Sequence, residues 1–174
     1  ASDVYKRQVY GKEDTLITIQ IDFQLAERFG MEYVDSDGTK KYPYVIHRTS
    51  IGCYERTLAL LLEKYAGALP TWLAPIQVKV LPISDHYMEY ANSVSEELQK
   101  VGIRVEVDTR KEKIGYKIRE AQLEKVPYML IVGEKEQAEG AVSVRDRKEG
   151  DTGSVKLNEF IDTILKKVAS KSKD

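Results

Sequence analysis

Between His47 and Arg56 the sequence gathers an imidazole, two guanidinium groups, a thiol and a carboxylate, carried by His47, Arg48, Arg56, Cys53 and Glu55. An imidazole titrating near neutrality can carry a proton or ligate a metal. Zinc needs at least three protein ligands, whereas the chain holds only two histidines and one cysteine. The other histidine, His86, follows Ser84, a candidate helix N-cap, and reads as a surface residue. Cys53 stands near a helix start, where a thiolate is stabilised, but no second histidine lies close in sequence to act as its base. Inert packing is the better reading. The two standard phosphate-cradling loops, GxxxxGK[ST] and GxGxxG, are absent. Arg56 differs, because a guanidinium in the first turn of a helix presents a fork of donors to phosphate. Its bland alternative is an ion pair with Glu55 or Glu63 on a solvated face.

Two basic clusters lie further on. Arg110, Lys111, Lys113, Lys117 and Arg119 surround one acid, Glu112, and Arg145, Arg147 and Lys148 form the second. Such clusters are commonly just solvated faces. The net charge is −1, so any nucleic-acid surface must be a local patch and not the field of the whole molecule.

The elements that must position these groups fall into two textures. From Thr15 the pattern alternates: Thr15, Ile17, Ile19 and Ile21 point one way, and Thr18, Gln20 and Asp22 the other, which predicts a half-buried strand. Met31–Val34 and Tyr42–Thr49 read as further strands, with a turn at Asp35-Ser36-Asp37-Gly38. A helix follows from about Cys53 to Ala66, its apolar face Tyr54, Leu58, Leu61, Leu62 and Tyr65. Gly67 is placed to end it. After the proline-bounded segment Pro70-Thr71-Trp72-Leu73-Ala74-Pro75, strands and helices alternate. Strands are expected at Ile76–Ile83, Ile103–Val107, Pro127–Val132 and Ala141–Arg145, with a short fifth near Ser154–Leu157. Helices are expected after Ser84, over Ile114–Lys125, and through Phe160, Ile161, Ile164, Leu165 and Val168.

This order predicts an α/β domain with a mixed, largely parallel five-stranded sheet flanked by three helices. It is preceded by a piece of a different, antiparallel domain. The expected division is a possible non-native leader over residues 1–8, a first domain over 9–73 and a second over 74–174. Hydrophobic residues at 42% and charged residues at 32% fit a soluble globular chain. The longest aliphatic run, Leu58–Leu62, is far short of the ~20 residues that span a bilayer. A single cysteine excludes an internal disulfide framework. A cytoplasmic protein without membrane contact is the expectation.

The run from His47 through Gly52 to Leu61 is a strand passing through a glycine into a helix, with Glu55-Arg56 in its first turn. It resembles motif 3 of the class II aminoacyl-tRNA synthetases. Three strings resemble the threonyl-tRNA synthetase family in particular: Thr18-Ile19-Gln20-Ile21-Asp22-Phe23, His47-Arg48, and Leu69-Pro70-Thr71-Trp72-Leu73-Ala74-Pro75. Arg110–Arg119 and Val126–Gly133 are similar to the family's anticodon-binding domain.

The resemblance implies roles residue by residue. His47 would be one of three protein ligands to a zinc ion that recognises threonine. Gln20 and Arg56 would contact ATP, used with magnesium, and support adenylate formation. Lys111, Glu136 and Arg145 would read anticodon bases of tRNA-Thr, where splayed single-stranded bases suit a carboxylate and a guanidinium. The family's homodimer forms through a region not present in this chain. Motifs 1 and 2 and two zinc ligands are also missing from it, so the chain alone is expected neither to activate threonine nor to hold zinc tightly. The alternative is a non-catalytic RNA-binding accessory module built on an anticodon-binding domain. A small-molecule-binding α/β domain is the third reading.

Overall fold

The computed structural model describes residues 2–6, 11 and 13–173, and the chain divides into two compact units, 1–64 and 65–174. In the first, β1 (Ser2–Lys6), β2 (Glu13–Asp22) and β5 (Val45–Thr49) form an antiparallel sheet in the order β1-β2-β5. Ser2–Lys6, expected as part of a leader, is therefore a paired strand. The short helix α1 (Leu25–Arg28) follows β2, and Asp22 Oδ1 starts it by accepting the N–H groups of Gln24 and Leu25 at 2.8 and 2.9 Å. A two-stranded hairpin, β3 (Tyr33–Val34) with β4 (Lys40–Lys41), closes over the Asp35–Gly38 turn. The strand expected over Tyr42–Thr49 starts only at Val45, since Pro43 has no N–H for a ladder. Gly52, at φ +77°, turns the chain from β5 into α2 (Tyr54–Lys64), a left-handed conformation that a side chain would strain.

The first unit buries little. The side chain of Thr15 lies outside the described residues, and Ile19 and Ile21 are exposed. Ile17 is half-buried as expected, but the face of β2 opens towards Ile21, and its neighbour Ile46 on β5 is exposed as well. The expected apolar face of α2 is open too, with Tyr54 82% and Leu58 53% exposed. Among the described residues only Ala26 and Leu60 are buried apolar side chains in this unit. The periodicity is present, but among the described residues these side chains stay exposed.

The second unit is different in kind. Its five strands are β6 (Val78–Pro82), β7 (Val105–Val107), β8 (Tyr128–Val132), β9 (Ala141–Asp146) and β10 (Gly150–Lys156). They form one sheet in the order β10-β9-β8-β6-β7. β6 pairs in parallel with β7 and β8, and β8-β9 and β9-β10 are antiparallel. A 3-10 turn (Asp85–Tyr87) leads into α3 (Met88–Lys100), with no side-chain bond from Ser84 to cap it. α4 (Ile114–Leu123) and α6 (Leu157–Ala169) complete the expected helices. A short helix, α5 (Glu134–Glu139), was not foreseen, because Glu-Lys-Glu-Gln-Ala-Glu carries no apolar stripe.

One core layer joins Val78, Val80, Leu98, Leu130, Val142, Val144, Phe160 and Ile164. On the other face Leu81, Ala121 and Met129 pack with Ile114 and Ile118 of α4. The connector Tyr65–Pro75 goes with this unit, ahead of the expected boundary at 73/74. Its carbonyls explain why. Lys125 Nζ donates to Ala66 O, Arg147 Nη1 to Leu69 O at 3.0 Å, and Gln77 Nε2 to Thr71 O at 2.9 Å. Arg104 takes two more, Trp72 O and Ala74 O, each at 2.9 Å. Burying an extended segment without a ladder requires such donors.

Candidate functional sites

In the first unit, Gln20 and His47 are direct Cα partners across the β2-β5 ladder. Cross-strand partners present their side chains on the same face, and Asp22, two residues beyond Gln20, shares it. A shallow concavity of about 590 Å³ is lined by Gln20, Asp22 and His47 with Ile21, Phe23 and Gln24. His47 Nε2 lies 3.8 Å from Asp22 Oδ2. The Asp22 carboxyl is held below its ordinary value, first by the N–H groups of Gln24 and Leu25, then by His47 and Arg28. It therefore remains an anion beside the imidazole. Asp22 was named in sequence only as a polar strand residue, yet its i+2 spacing from Gln20 was the available signal.

Arg56 does not line this concavity; it stands exposed in the first turn of α2. The loop before it is nonetheless ordered by bonds from Thr57, whose Oγ1 donates to Ile51 O at 2.7 Å and whose N–H donates to Cys53 O at 3.1 Å. Cys53 is exposed. For zinc, the described residues bring one imidazole and one carboxylate together, and no group of three or more His, Cys, Asp or Glu side chains forms among them. That donor set does not by itself fit a tetrahedral zinc site.

In the second unit, the expected base-reading residues sit on three elements. Lys111, in the loop after β7, places Nζ 3.3 Å from Asp85 Oδ2, in the loop after β6. Both loops leave the carboxyl ends of parallel strands, where open α/β sheets hold ligands. Glu136 lies on α5 after β8, the third strand ending there. Its Oε2 accepts the N–H of Gly133 at 3.1 Å. Arg145 lies on β9, opposite Met129 of β8, and so on the face that carries α4. Its Nε is buried, and no hydrogen-bond acceptor meets it among the described residues.

The first basic cluster does not act as one surface. Lys117, counted in sequence with the exposed cations, is 2% exposed and donates to Pro82 O at 3.1 Å and Asp108 O at 3.3 Å. It ties α4 to the ends of β6 and β7. Arg110 grips the buried Asp108 with Nε at 2.9 Å and Nη2 at 2.6 Å, and stands over the Tyr116 ring. Asp108 was missed in sequence; the nearby cations Arg110 and Lys117 hold its carboxyl below the ordinary range.

Gly133 fixes the position of Glu136. A Cβ there would stand 2.6 Å from Ile83 Cδ1 and 3.3 Å from Glu136 Oε2. Gly133→Ala is expected to loosen this cap and cost about 1 kcal/mol in urea unfolding. Ile83→Val in the same background removes the clashing methyl and should recover part of that loss. An unchanged double variant would count against the clash.

The comparisons agree with this division. The model of the anticodon binding domain family matches residues 77–167, more than half of the chain, and that of the tRNA synthetase class II core domain (G, H, P, S and T) matches residues 4–65. A threonine–tRNA ligase of Clostridium perfringens (strain SM101 / Type A) is 64% identical over 169 residues, covering 97% of this chain and 26% of that protein. One from Clostridium botulinum (strain Eklund 17B / Type B) is 63% identical over 171 residues, covering 98% and 27%. The chain thus spans about a quarter of the length of these curated relatives. The crystal structure of the RNA binding domain of threonyl-tRNA synthetase from Cryptosporidium parvum Iowa II superposes with a TM-score of 0.78 at 36% identity, over 95% of this chain and 42% of that one. With a mixed five-stranded sheet preceded by an antiparallel three-stranded piece, the chain belongs to the anticodon binding domain family, joined to part of a class II tRNA synthetase core.

Proposed function

We propose that this chain supplies the motif 3 part of the aminoacylating site and the anticodon-reading surface of a threonine–tRNA ligase. The observation that carries the reading is the ladder register that sets Gln20 directly opposite His47 above one concavity. A module that only binds RNA has no need of that pair. In this reading Gln20 and Arg56 contact ATP, which the family uses with magnesium, and Arg56 offsets phosphate charge as adenylate forms. His47 contributes one ligand to a zinc site completed by residues outside this chain. The open apolar faces of β2, β5 and α2 are then the surfaces that the remainder of a catalytic core covers.

The partner of the second unit is tRNA-Thr, read by Lys111, Glu136 and Arg145. Lys111 serves a phosphate or a base edge, and Glu136 accepts from a base while its cap to Gly133 holds it still. Among the described residues no helix is long and apolar enough to cross a membrane, and the proposed place of action is the cytoplasm.

A non-catalytic RNA-binding module is the second reading. It draws on the contrast between the well-packed second unit and the sparsely packed first. Both are tested on the same preparation. The chain is expected to bind a tRNA-Thr anticodon stem-loop more tightly than one with altered second and third anticodon bases, and to show no threonine-dependent pyrophosphate exchange. Equal binding of both stem-loops would remove the anticodon assignment. Exchange activity would refute the expectation that this chain needs further residues for catalysis. Restored exchange on adding the missing core segments, lost again with His47→Ala, separates the ligase from the module.

A further inference from the structure

A second basic surface lies away from Lys111 and Glu136, at the end of the sheet where β9 carries Arg145. The turn between β9 and β10 brings Arg147 and Lys148, α6 brings Lys167, and the chain beyond it brings Ser172 and Lys173, all around a cavity of about 290 Å³ that also touches Thr71 and Pro127. Pro127 immediately precedes β8, whereas Glu136 follows its far end, so this cavity sits at the end of the sheet opposite Glu136. Arg145 is at the cavity's end of the sheet, paired with Met129 and on the face that carries α4.

The acids at this cavity are partly committed. Asp146 Oδ1 accepts the N–H groups of Lys148 at 2.7 Å and Glu149 at 3.1 Å, and its Oδ2 is 3.8 Å from Lys167 Nζ. With Lys167 set against Asp146 and the Tyr128 hydroxyl, Glu149 is the remaining carboxylate on the lining, against Arg147, Lys148 and Lys173. Arg147 is fixed in place, since its Nη1 donates to Leu69 O at 3.0 Å and Lys125 O at 2.8 Å. A guanidinium already held by carbonyls loses little freedom when it meets an anion. Lys171 adds charge nearby, its Nζ 5.8 Å from the centre of the Trp72 ring. Lysines late in α6 also suit the negative end of a helix, but that does not account for Arg147 and Lys148, which come from a β-turn. In a chain of net charge −1 this is a concentrated positive patch in a concave setting.

We propose that this cleft is a phosphate subsite that holds the sugar-phosphate backbone of bound RNA, next to Arg145 and at the other end of the sheet from Glu136. The inference rests on the RNA-binding reading for the identity of the polyanion. Phosphate contacts position a nucleic acid and add affinity without adding sequence preference. Loss of each contact flattens the salt dependence by about 0.7–0.9 in the log–log slope.

The test uses the whole chain with Lys148→Gln and Lys173→Gln combined, both side chains being exposed. The probes are a full tRNA-Thr transcript and inorganic phosphate. The double variant is expected to bind the transcript about 3- to 30-fold more weakly and to lower the salt slope by about 1 to 2. Its discrimination against altered anticodon bases should equal that of the parent, and its melting curve should be unchanged. Unaltered affinity and slope, with Arg145→Ala still losing base discrimination, overturn the subsite while leaving the anticodon reading intact. Reduced discrimination in the double variant also overturns it, by making these cations part of base reading. If inorganic phosphate protects Lys148 and Lys173 from amine acylation and the transcript does not, a small-anion site replaces the proposal. Failure of the parent chain to bind the transcript at all defeats both readings together.

Discussion

Asp108→Ala is expected to destabilise the second unit by about 3 kcal/mol, the scale seen when one partner of a buried charge pair is removed. The expected drop in melting temperature is roughly 10–20 °C for a domain of this size. Asp108 is 3% exposed and accepts Nε, Nη2 and the backbone N–H of Arg110. Arg110 is 42% exposed, so its pair with Asp108 is screened, and that interaction alone contributes no more than about 1 kcal/mol. The larger part comes from Lys117. Its buried ammonium donates to Asp108 O and Pro82 O, and the Asp108 carboxylate is a nearby counter-charge. Removing that carboxylate leaves a buried cation balanced only by carbonyl dipoles, a costly arrangement.

The pH dependence gives a second handle on the same residue. The Asp108 carboxyl is depressed in the folded chain, chiefly by the hydrogen bond from Arg110. Its stabilisation is therefore complete above the unfolded carboxylate range near 3.9, and is lost as pH falls through the lower folded value. Parent and Asp108→Ala should differ fully at pH 7 and converge only in strong acid. Asp108→Asn, which keeps one acceptor, should fall between them. Equal urea midpoints for parent and variant at pH 7 would show that the cluster has no structural weight.

How much was legible in the sequence depended on where each residue's partner lay. In the second unit, period and partner are both inside the chain. The apolar run Pro127–Val132 did become the central strand β8, and Phe160 and Ile164 did seat α6 on the sheet. In the first unit the period was legible and burial was not, because Ile19, Ile21, Tyr54 and Leu58 stay exposed among the described residues. Hydrophobic spacing states which face seeks cover; it is silent on whether the cover is on the same chain.

The sites divide similarly. Gln20 and His47 were each visible as polar strand residues, but their meeting depends on a register set by the β2-β5 ladder, which no local pattern encodes. The cluster Arg110–Arg119 looked uniform in sequence, yet the fold assigns Lys117 to the interior, Arg110 to Asp108 and Lys111 to the surface beside Asp85. Charge composition cannot separate these roles, because the acid that claims Arg110 and the carbonyls that claim Lys117 come from the end of β7 and from β6. α5 was missed for a related reason. Its start depends on Glu136 reaching back to Gly133 N–H, not on an apolar stripe.

Arg145→Met is expected to separate binding from stability in opposite directions. The buried Nε of Arg145 has no acceptor among the described residues, and such a donor costs about 1–3 kcal/mol when left unmet. Methionine keeps an unbranched apolar stem opposite Met129 and removes the stranded donor. The free chain should therefore be as stable as the parent or more so, by about 1 kcal/mol in urea unfolding. Binding of the tRNA-Thr anticodon stem-loop should fall by about 1–3 kcal/mol, since a guanidinium that forks onto a base edge supplies that much discrimination. Preference over stem-loops with altered bases should fall with it. Arg145→Lys keeps the charge and loses the planar fork, so it should retain salt-dependent affinity without base preference. If Arg145→Met instead lowered stability and left RNA affinity unchanged, the guanidinium would be a packing element of β9 and the base-reading role would pass to Lys111 and Glu136 alone.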